Sequence, residues 1–357
     1  MRNTKRFVSL AAVAMLGLMA AACGDDDDDA SDATDAPAAG GTTAPAGTAA
    51  ATSDITVGLA FDTGGRGDGT FNDSAGRGLD QAVSELGVKK IETEAVQDAD
   101  RKTNLELLVS QKTNPVIAVG FAFTDALTEV ATANPDTTFA IIDGFVDLPN
   151  VVNFAFAEHQ GSFLVGAAAA LKSESGHIGF IGGQEIDLIK KFEAGYTAGA
   201  KAVNPEVVVE TKYLGPAGDN SAWGNVAGAK EIAKGWYEAG ADVIYTAAGG
   251  SGAGTIQAAV EADKWAIGVD SDEWLKAKPA EQAHILTSML KRVDVAVFQT
   301  IKAYADGETG GGVKAFELSN DGVNYSTSGG FIDDITDQLE TYKADIISGK
   351  IVVPDKP

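Results

Sequence analysis

The sequence predicts an α/β protein made of two doubly wound parallel sheets in series, one in each of two lobes. From residue 54 onward, short apolar runs alternate with amphipathic segments, a pattern typical of strands buried on both faces and separated by single helices. The remaining length of about 300 residues exceeds what one compact core usually holds. Acidic, aromatic and glycine residues also follow several of these runs in both halves of the chain.

Eight apolar runs are predicted as strands because they are short, continuous and bounded by polar or glycine residues. They span 55–61, 90–95, 115–120, 138–142, 177–181, 207–213, 243–247 and 265–269. Between them, apolar or small residues recur at helical spacing in two sets, Ile189, Phe192, Tyr196, Gly199, Val203 and Val226, Ala229, Ile232, Trp236. A further helix is predicted over 335–348.

The turn after the first run is the most informative segment of the chain. It spans residues 62–72 and is rich in glycine and acid. Glycines let the backbone approach a ligand closely, Phe71 offers a stacking face, and Asp62 and Asn72 offer hydrogen-bond partners. In parallel α/β sheets the loops after the strands carry the site. This turn therefore predicts a site for a flat ligand with hydroxyl groups.

Similar residues follow four other predicted strands. They include Asp143 after the fourth run, Trp223 after the sixth, Gly249 and Gly250 after the seventh and Asp270 after the eighth. Because the carboxyl ends of parallel strands meet at one edge of a sheet, these residues are expected on the same rim as the first turn. The repetition in both halves predicts two lobes that face one cleft.

The N-terminus has the features of a secretory signal. Three basic residues precede an apolar stretch at 7–22, which is short for a bilayer span and ends in small residues. Cys23 follows directly and is the only cysteine, so no intrachain disulfide forms. Small residues before a cysteine resemble the lipobox of bacterial lipoproteins. Residues 1–22 are thus expected to be a signal peptide and Cys23 to be lipidated; the alternative is an ordinary signal peptide with Cys23 incidental.

Residues 23–53 are expected to form a disordered tether behind the lipidated cysteine, because they contain almost nothing to bury. The formal charge of the chain is −24, and it becomes −27 when the three basic residues of the signal are removed. A chain this acidic is a poor partner for nucleic acid or anionic lipid. The expected location is the extracytoplasmic face of the cell membrane, held there by the lipid.

An ordered set of segments from residue 54 to the C-terminus resembles the basic membrane protein family of lipoproteins, also called PnrA-like. The segments are DTGGRGDGTFNDSAGRG, FAEHQGSFLVGAAAA, HIGFIGG, FEAGYTAGAKAVNP, YTAAGGSGAG, WAIGVDSD and LTSMLKRVD. The resemblance implies a type I periplasmic binding protein fold, in which two lobes are joined by a hinge with a ligand cleft between them. It also implies a solute-binding protein that delivers purine nucleosides to the permease of an ABC importer, without a cofactor, a metal or a catalytic residue.

The family's ligand-binding positions can be carried over residue by residue. They fall on Asp62, Thr70, Phe71, Asn72, Asp143, Trp223, Gly249, Gly250, Asp270 and Lys291. A purine held between Phe71 and Trp223 gains stacking energy, and Asp270 can accept hydrogen bonds from both hydroxyls of a vicinal diol. Lys291 supplies a cation among the carboxylates. Those carboxylates are expected to reject phosphorylated ligands.

Each site residue also has a plainer interpretation. Phe71 and Trp223 could be core aromatics, Asp62 and Asp143 could cap helices, and Lys291 could be a surface lysine. Asp270 and Asp272 could form a loop metal site, and the glycines at 249–254 could cradle phosphate, although a tight turn is the better interpretation. Glu158 is expected to cap or brace a helix at the crossover between lobes.

Two other functions remain open from the sequence: a ligand-sensing adaptor for a membrane receptor, and a metal-assisted nucleoside hydrolase. The three histidines lie far apart, and no nucleophile elbow or zinc helix is present. The first lobe is expected to comprise 54–157 with a returning segment of about 287–330. The second lobe is expected to comprise 158–286, and 331–357 could belong to either.

Overall fold

The structure is a computed structural model that describes residues 53–357. The predicted signal peptide, the lipidation of Cys23 and all but the last residue of the predicted tether lie outside the described residues. Within the described part, no helix is both long and apolar enough to cross a membrane.

The strands of the described part are β1 Thr56–Phe61, β2 Lys89–Glu94, β3 Val116–Val119, β4 Phe139–Ile142, β5 Val151–Phe156, β6 His177–Gln184, β7 Val208–Gly215, β8 Val243–Ala247, β9 Trp265–Asp270, β10 Ile285–Lys291, β11 Gly312–Phe316 and β12 Val323–Tyr325. The α-helices are α1 Phe71–Leu86, α2 Asp98–Ser110, α3 Thr124–Ala133, α4 Glu158–Lys172, α5 Asp187–Val203, α6 Val226–Glu238, α7 Gly252–Ala262, α8 Pro279–Gln282, α9 Val293–Ala305 and α10 Thr336–Ile347. All eight predicted strands are present.

The strands form two sheets of equivalent strand order. The first has the order β2-β1-β3-β4-β5-β11 and the second β7-β6-β8-β9-β10-β12. Every pairing is parallel except that of β10 with β12. The predicted fold class is confirmed. The matching orders make each strand of the first sheet equivalent to one of the second, so that β4 corresponds to β9.

The chain crosses between the lobes at three places, after β5, after β10 and after β11. The crossings are tied together by backbone hydrogen bonds. The N–H of Ala157 donates to the carbonyl of Phe316 at 2.9 Å, and that of Arg292 donates to the carbonyl of Gly322 at 2.9 Å. Three adjacent crossings form a hinge, since the lobes can rotate about them without breaking either sheet.

The segment expected to return to the first lobe at about residue 287 divides between the sheets. β10 and β12 belong to the second sheet, whereas β11 belongs to the first. α9 packs against α1 of the first lobe, and the N–H of Asp294 donates to the hydroxyl of Ser74 at 3.2 Å. The C-terminal helix α10 packs against α4 of the second lobe.

The core lies between the sheets and their helices. The inner strands of both sheets are almost completely buried, whereas most residues of the edge strands β2, β7 and β11 are exposed or half-buried. Of the described elements, α4 and α5 pack against each other most extensively. A side chain at Gly199 of α5 would place its Cβ 1.9 Å from the carbonyl oxygen of Phe163 in α4. Glycine is needed here because the two helix backbones are in contact.

Candidate ligand site between the two sheets

A cavity of about 700 Å³, here called the first cavity, lies where the carboxyl ends of both sheets face each other. This space includes the part of the cleft that is open to solvent. Its walls are Asp62, Thr63, Gly64, Asp68, Phe71, Asn72, Gly120, Phe121, Asp143, Leu188, Ile189, Phe192, Trp223, Ala247, Gly249, Gly250, Val269, Asp270 and Lys291. Nine of the ten predicted site residues are brought together here; Thr70 is not among them.

Asp62 follows β1 and is held by a buried arginine of α2. Its Oδ1 accepts hydrogen bonds from Nε and Nη2 of Arg101 at 2.9 and 2.6 Å, and Arg101 is 5% exposed. Oδ2 accepts no hydrogen bond from the described residues. Asp62 therefore fills a charge-paired position in the cavity wall, with one oxygen available, and does not cap a helix.

Asp68 holds the start of α1. Its carboxylate accepts hydrogen bonds from the backbone N–H groups of Thr70, Asn72 and Asp73 at 2.9–3.1 Å. It also accepts from Nδ2 of Asn72 at 3.1 Å. The Oδ1 of Asn72 in turn accepts from the N–H of Asp62 at 3.3 Å. These contacts fix the amide of Asn72 and leave one of its Nδ2 hydrogens for a ligand.

Aromatic rings from both lobes line the first cavity. Phe71 is the first residue of α1, and Trp223 ends a short 3₁₀ helix after β7. Phe121 follows β3 and meets Trp223 edge to face, with centroids 6.3 Å apart. A Cβ at Gly183 would lie 2.2 Å from the Trp223 ring, so this glycine makes room for the indole. Both predicted stacking residues thus face the cleft.

Sequence reasoning missed Phe121 and Phe192 as cavity residues. Phe121 directly follows the predicted strand 115–120, and this position on the rim was a signal that could have identified it. Phe192 was assigned only to the helical repeat of α5. Its side chain is buried, yet it also reaches the cavity wall, and its sequence position alone does not distinguish these two roles.

Asp143 and Asp270 occupy equivalent places, Asp143 directly after β4 and Asp270 as the last residue of β9. Both have left-handed backbones, with φ of 65° and 63°, a conformation that is costly for most residues and concentrates at functional sites. Oδ1 of Asp143 is buried without a hydrogen-bond partner in the described part of the chain. Asp270 is 8% exposed, and its carboxylate accepts no hydrogen bond from residues 53–357. Each carboxylate therefore has at least one oxygen that accepts no hydrogen bond from the described residues.

Lys291 ends β10 and is 2% exposed. Its Nζ lies 2.7 Å from Oδ2 of Asp143 and 3.0 Å from Oε1 of Glu158. It also lies 5.4 Å from the ring centroid of Phe71. Glu158, the first residue of α4, has a second cation at 3.4 Å, Nζ of Lys191. Lys291 is therefore a buried cation at the hinge, and Glu158 braces it there.

The pKa values of Asp270, Asp143 and Lys291 are all raised, those of the acids by burial and that of the lysine by the carboxylates around it. Burial raises the pKa of Asp270 to about 7, although the nearby Lys291 opposes the shift. Burial likewise raises the pKa of Asp143 against the attraction of Lys291. Burial lowers the pKa of Lys291, but Asp143, Glu158 and Asp270 outweigh it and raise the pKa above its usual value. The cation stays charged while Asp270 titrates near neutrality.

Thr70 lies in the wall of an adjoining space of about 650 Å³, here called the second cavity. Its carbonyl accepts a hydrogen bond from the hydroxyl of Ser271 at 2.7 Å, across the cleft. Gly249 and Gly250 line both cavities. They form a short 3₁₀ turn before α7.

Unlike the carboxylate of Asp270, that of Asp272 has hydrogen-bond partners within the described part of the chain. Its Oδ2 accepts hydrogen bonds from the hydroxyls of Ser326 and Ser328 at 2.7 and 2.6 Å. Within residues 53–357, no group of three or more His, Cys, Asp or Glu side chains is placed to hold a metal ion.

The first cavity thus combines aromatic walls with more acceptors than donors. Free carboxylate oxygens belong to Asp62, Asp143 and Asp270, whereas Lys291 and one Nδ2 hydrogen of Asn72 supply donors. A ligand that fits must present a flat ring to the aromatic walls and several N–H or O–H groups to the carboxylates.

Residues 55–357 match the family described as ABC transporter substrate-binding protein PnrA-like. A protein of Listeria monocytogenes named CD4+ T-cell-stimulating antigen is 35% identical over 324 residues, which cover 85% of this chain and 89% of that protein. The ABC transporter nucleoside-binding protein BmpA of Lactococcus lactis is 34% identical over 322 residues, 85% of this chain and 90% of that protein. An ABC transporter solute-binding protein from Aeropyrum pernix K1 superposes with a TM-score of 0.72 at 28% identity, over 84% of this chain and 94% of that one.

Proposed function

The chain belongs to the PnrA-like family of ABC transporter substrate-binding proteins, as its motifs predicted, and from this premise we propose that it binds purine nucleosides in the first cavity. The observation that carries the proposal is the pairing of aromatic walls with unpartnered carboxylate oxygens. Its family consists of binding proteins and not of enzymes. The name of the Lactococcus lactis relative, a nucleoside-binding protein, supports the same ligand class.

In this proposal the purine lies between Phe71 of the first lobe and Trp223 of the second. The ribose hydroxyls donate to Asp270, and the buried Oδ1 of Asp143 accepts from a further N–H or O–H group of the ligand. Each wall belongs to a different lobe, so neither lobe alone buries the ligand and binding favours the closed hinge. Phosphorylated ligands are rejected because they bring negative charge to a wall of carboxylates.

We further propose that the protein is held at the extracytoplasmic face of the cell membrane by a lipid on Cys23 and delivers its ligand to an ABC permease. The signal-like residues 1–22 and the single cysteine support the anchor. The family supports the permease as partner.

A thermal-shift screen tests the ligand class. Purified protein without the signal is melted with purine nucleosides, free bases, ribose, hexoses, amino acids and nucleoside monophosphates, since a ligand that binds the native state raises the melting temperature. Purine nucleosides are expected to give the largest increase. A larger increase with a hexose or an amino acid would contradict the proposal, and release of free base from a bound nucleoside would instead indicate a hydrolase.

A further inference from the structure

The second cavity is a separate feature that the proposed ligand does not occupy. Its walls come from both lobes, from residues 67–70 in the turn before α1 and from residues of the second lobe between 249 and 281. It shares Asp68, Gly249 and Gly250 with the first cavity. The two spaces are therefore neighbours with a common wall.

The end of β9 places the second cavity next to Asp270. Ser271, the next residue, donates its hydroxyl to the carbonyl of Thr70. Glu273 lies beside the same strand end, where its Oε1 accepts a hydrogen bond from the N–H of Val269 at 2.9 Å. Thr70 and Glu273 both line the second cavity. If Asp270 holds the ribose, the sugar lies at the end of β9, where Ser271 and Glu273 connect this strand to the wall of the second cavity.

One residue of this wall has a buried hydroxyl without a hydrogen-bond partner in the described part of the chain. Thr70 is 2% exposed, and its Oγ1 is buried without a hydrogen-bond partner among the described residues. This hydroxyl lies 3.9 Å from the position that a Cβ of Gly249 would take. A buried hydroxyl without a partner costs free energy that a ligand atom can recover by a hydrogen bond.

The charged wall residues are mostly acidic. Asp68, Glu273 and Glu281 contribute carboxylates. Lys276 is the one cation among the wall residues, and it is paired with Asp73 at 3.0 Å. Glu281 is likewise paired, with Lys278 at 3.4 Å, and burial raises the pKa of Glu273 to about 7. The charged wall residues and their partners comprise four carboxylates and two cations, and this excess of acid favours a cation or a neutral hydrogen-bonding group over an anion.

We propose that the second cavity is a subsite for a substituent on the sugar end of the ligand, so that the protein also binds nucleosides extended at the 5′ position by a short neutral or cationic chain. The inference rests on the proposed function, because it needs a nucleoside in the first cavity with its sugar at Asp270. Thr70 Oγ1 and the acidic wall are the groups that meet the extension. A 5′-phosphate has comparable reach, and its charge excludes it.

The test measures affinity by titration calorimetry for one parent, the purine nucleoside that binds best in the screen. Three 5′-thioether derivatives of equal length carry an ammonium, a hydroxyl or a carboxylate at the end of the chain. We expect the ammonium and hydroxyl derivatives to bind within about threefold of the parent, and the carboxylate derivative at least about tenfold more weakly. Equal affinity for all three would overturn the role of the acidic wall.

A variant that fills the second cavity provides the steric control. Ala253→Phe adds a ring to α7 at the wall of this cavity only, whereas Gln257→Phe adds the same ring to an exposed position on the same helix. We expect Ala253→Phe to change the affinity for the parent by no more than about twofold and to lower the affinity for the extended derivatives at least about tenfold. Gln257→Phe is expected to change neither affinity.

The two proposals fail in distinguishable ways. A wild-type protein that binds no nucleoside removes the proposed function and this inference with it. Binding of the parent together with rejection of all three derivatives removes the inference alone. So does an Ala253→Phe variant that loses parent and derivatives equally, since the space would then not be a separate subsite.

Discussion

The Nζ of Lys291, at the end of the second sheet's β10, lies 2.7 Å from Oδ2 of Asp143, which follows β4 of the first sheet. This ion pair joins the two lobes at the floor of the cleft. It leaves Oδ1 of Asp143 as a buried acceptor without a partner in the described residues. The cation that neutralises the site is therefore also a link across the hinge.

Replacing Lys291 by methionine is expected to lower the free energy of unfolding by about 3–5 kcal/mol, because it leaves Asp143 and Glu158 buried without their shared cation. Urea denaturation measures the change. Lys102→Met is the matched control, since Lys102 is exposed and pairs with Glu129 at the surface, where a pair contributes about 0–1 kcal/mol. Equal effects of the two substitutions would show that the buried cluster is not a stabilising element.

Asp270→Asn is expected to weaken ribonucleosides more than 2′-deoxyribonucleosides, because the deoxy sugar already lacks one of the hydroxyls that this carboxylate accepts. Asparagine tolerates the left-handed backbone of this position, so the substitution tests charge and not conformation. Asp263→Asn changes an exposed residue with φ of 55° and is expected to alter neither class. If the affinities measured by calorimetry fall equally for both classes of nucleoside, Asp270 does not bind the ribose hydroxyls.

The raised pKa of Asp270 predicts a pH-dependent stability of the free protein. The folded pKa of about 7 lies above the ordinary 3.8, so the folded state binds this proton more tightly than the unfolded state. The stability from this group is therefore complete below about pH 4 and is lost as the pH rises toward 7. The stability of wild type relative to Asp270→Asn is expected to fall across this range in denaturation at several pH values. A constant difference would contradict the raised pKa.

Loss of a stacking aromatic is expected to lower the affinity for ribonucleosides and for 2′-deoxyribonucleosides equally. Phe71→Ala is expected to weaken ribo- and deoxyribonucleosides by the same factor, since stacking contributes about 0.5–1.5 kcal/mol per pair beyond burial regardless of the sugar. Ligand binding is also expected to change the fluorescence of Trp223. In Trp223→Phe the tryptophans at 236, 265 and 274 remain, and a persisting fluorescence change would assign the signal to one of them.

Cys23→Ala is expected to move the full-length protein from the membrane fraction to the soluble extracytoplasmic fraction, because acyl chains contribute about 0.8 kcal/mol per buried methylene. Cell fractionation with a radiolabelled fatty acid measures both location and label. The wild type should carry the label and the variant should not. A wild type without label, and with the same fractionation as the variant, would contradict the anchor.

Eight of the twelve strands in the described part were predicted from the sequence, and β5, β10, β11 and β12 were missed. Apolar character does not separate the two groups, because the missed β5 reads VVNFAF whereas the predicted β2 reads KKIETE and is mostly exposed. For β10, burial depends on tertiary partners. β10 contains Thr287, Ser288 and Lys291, all buried. Thr287 donates its hydroxyl to the carbonyl of Ser326 at 2.6 Å, and Lys291 is paired with acids more than a hundred residues away. Such a strand has no clear apolar run. The predicted lobe boundary between residues 286 and 287 lies within β10, which spans Ile285–Lys291.

The residues of the candidate site were also only partly predictable from the sequence. Rim position and residue type were enough to predict that Asp143, Trp223 and Asp270 lie in the wall of the cleft. The partner of Asp62 was not predictable, because Arg101 lies 39 residues away on a helix whose other buried residues are the apolar Leu105 and Leu108. The arginine's role follows only from the packing of α2 against β1.

The order in which the chain crosses the hinge also constrains its biosynthesis. β11 completes the first sheet and β12 the second, and both strands come from residues 312–325. Until a ribosome has made this short stretch, β5 and β10 each present an unpaired edge. Pairings of such high sequence separation form slowly. The nascent chain therefore cannot reach its native topology as two domains folded one after the other, and a truncation before residue 312 leaves both sheets open to aggregation at their edges.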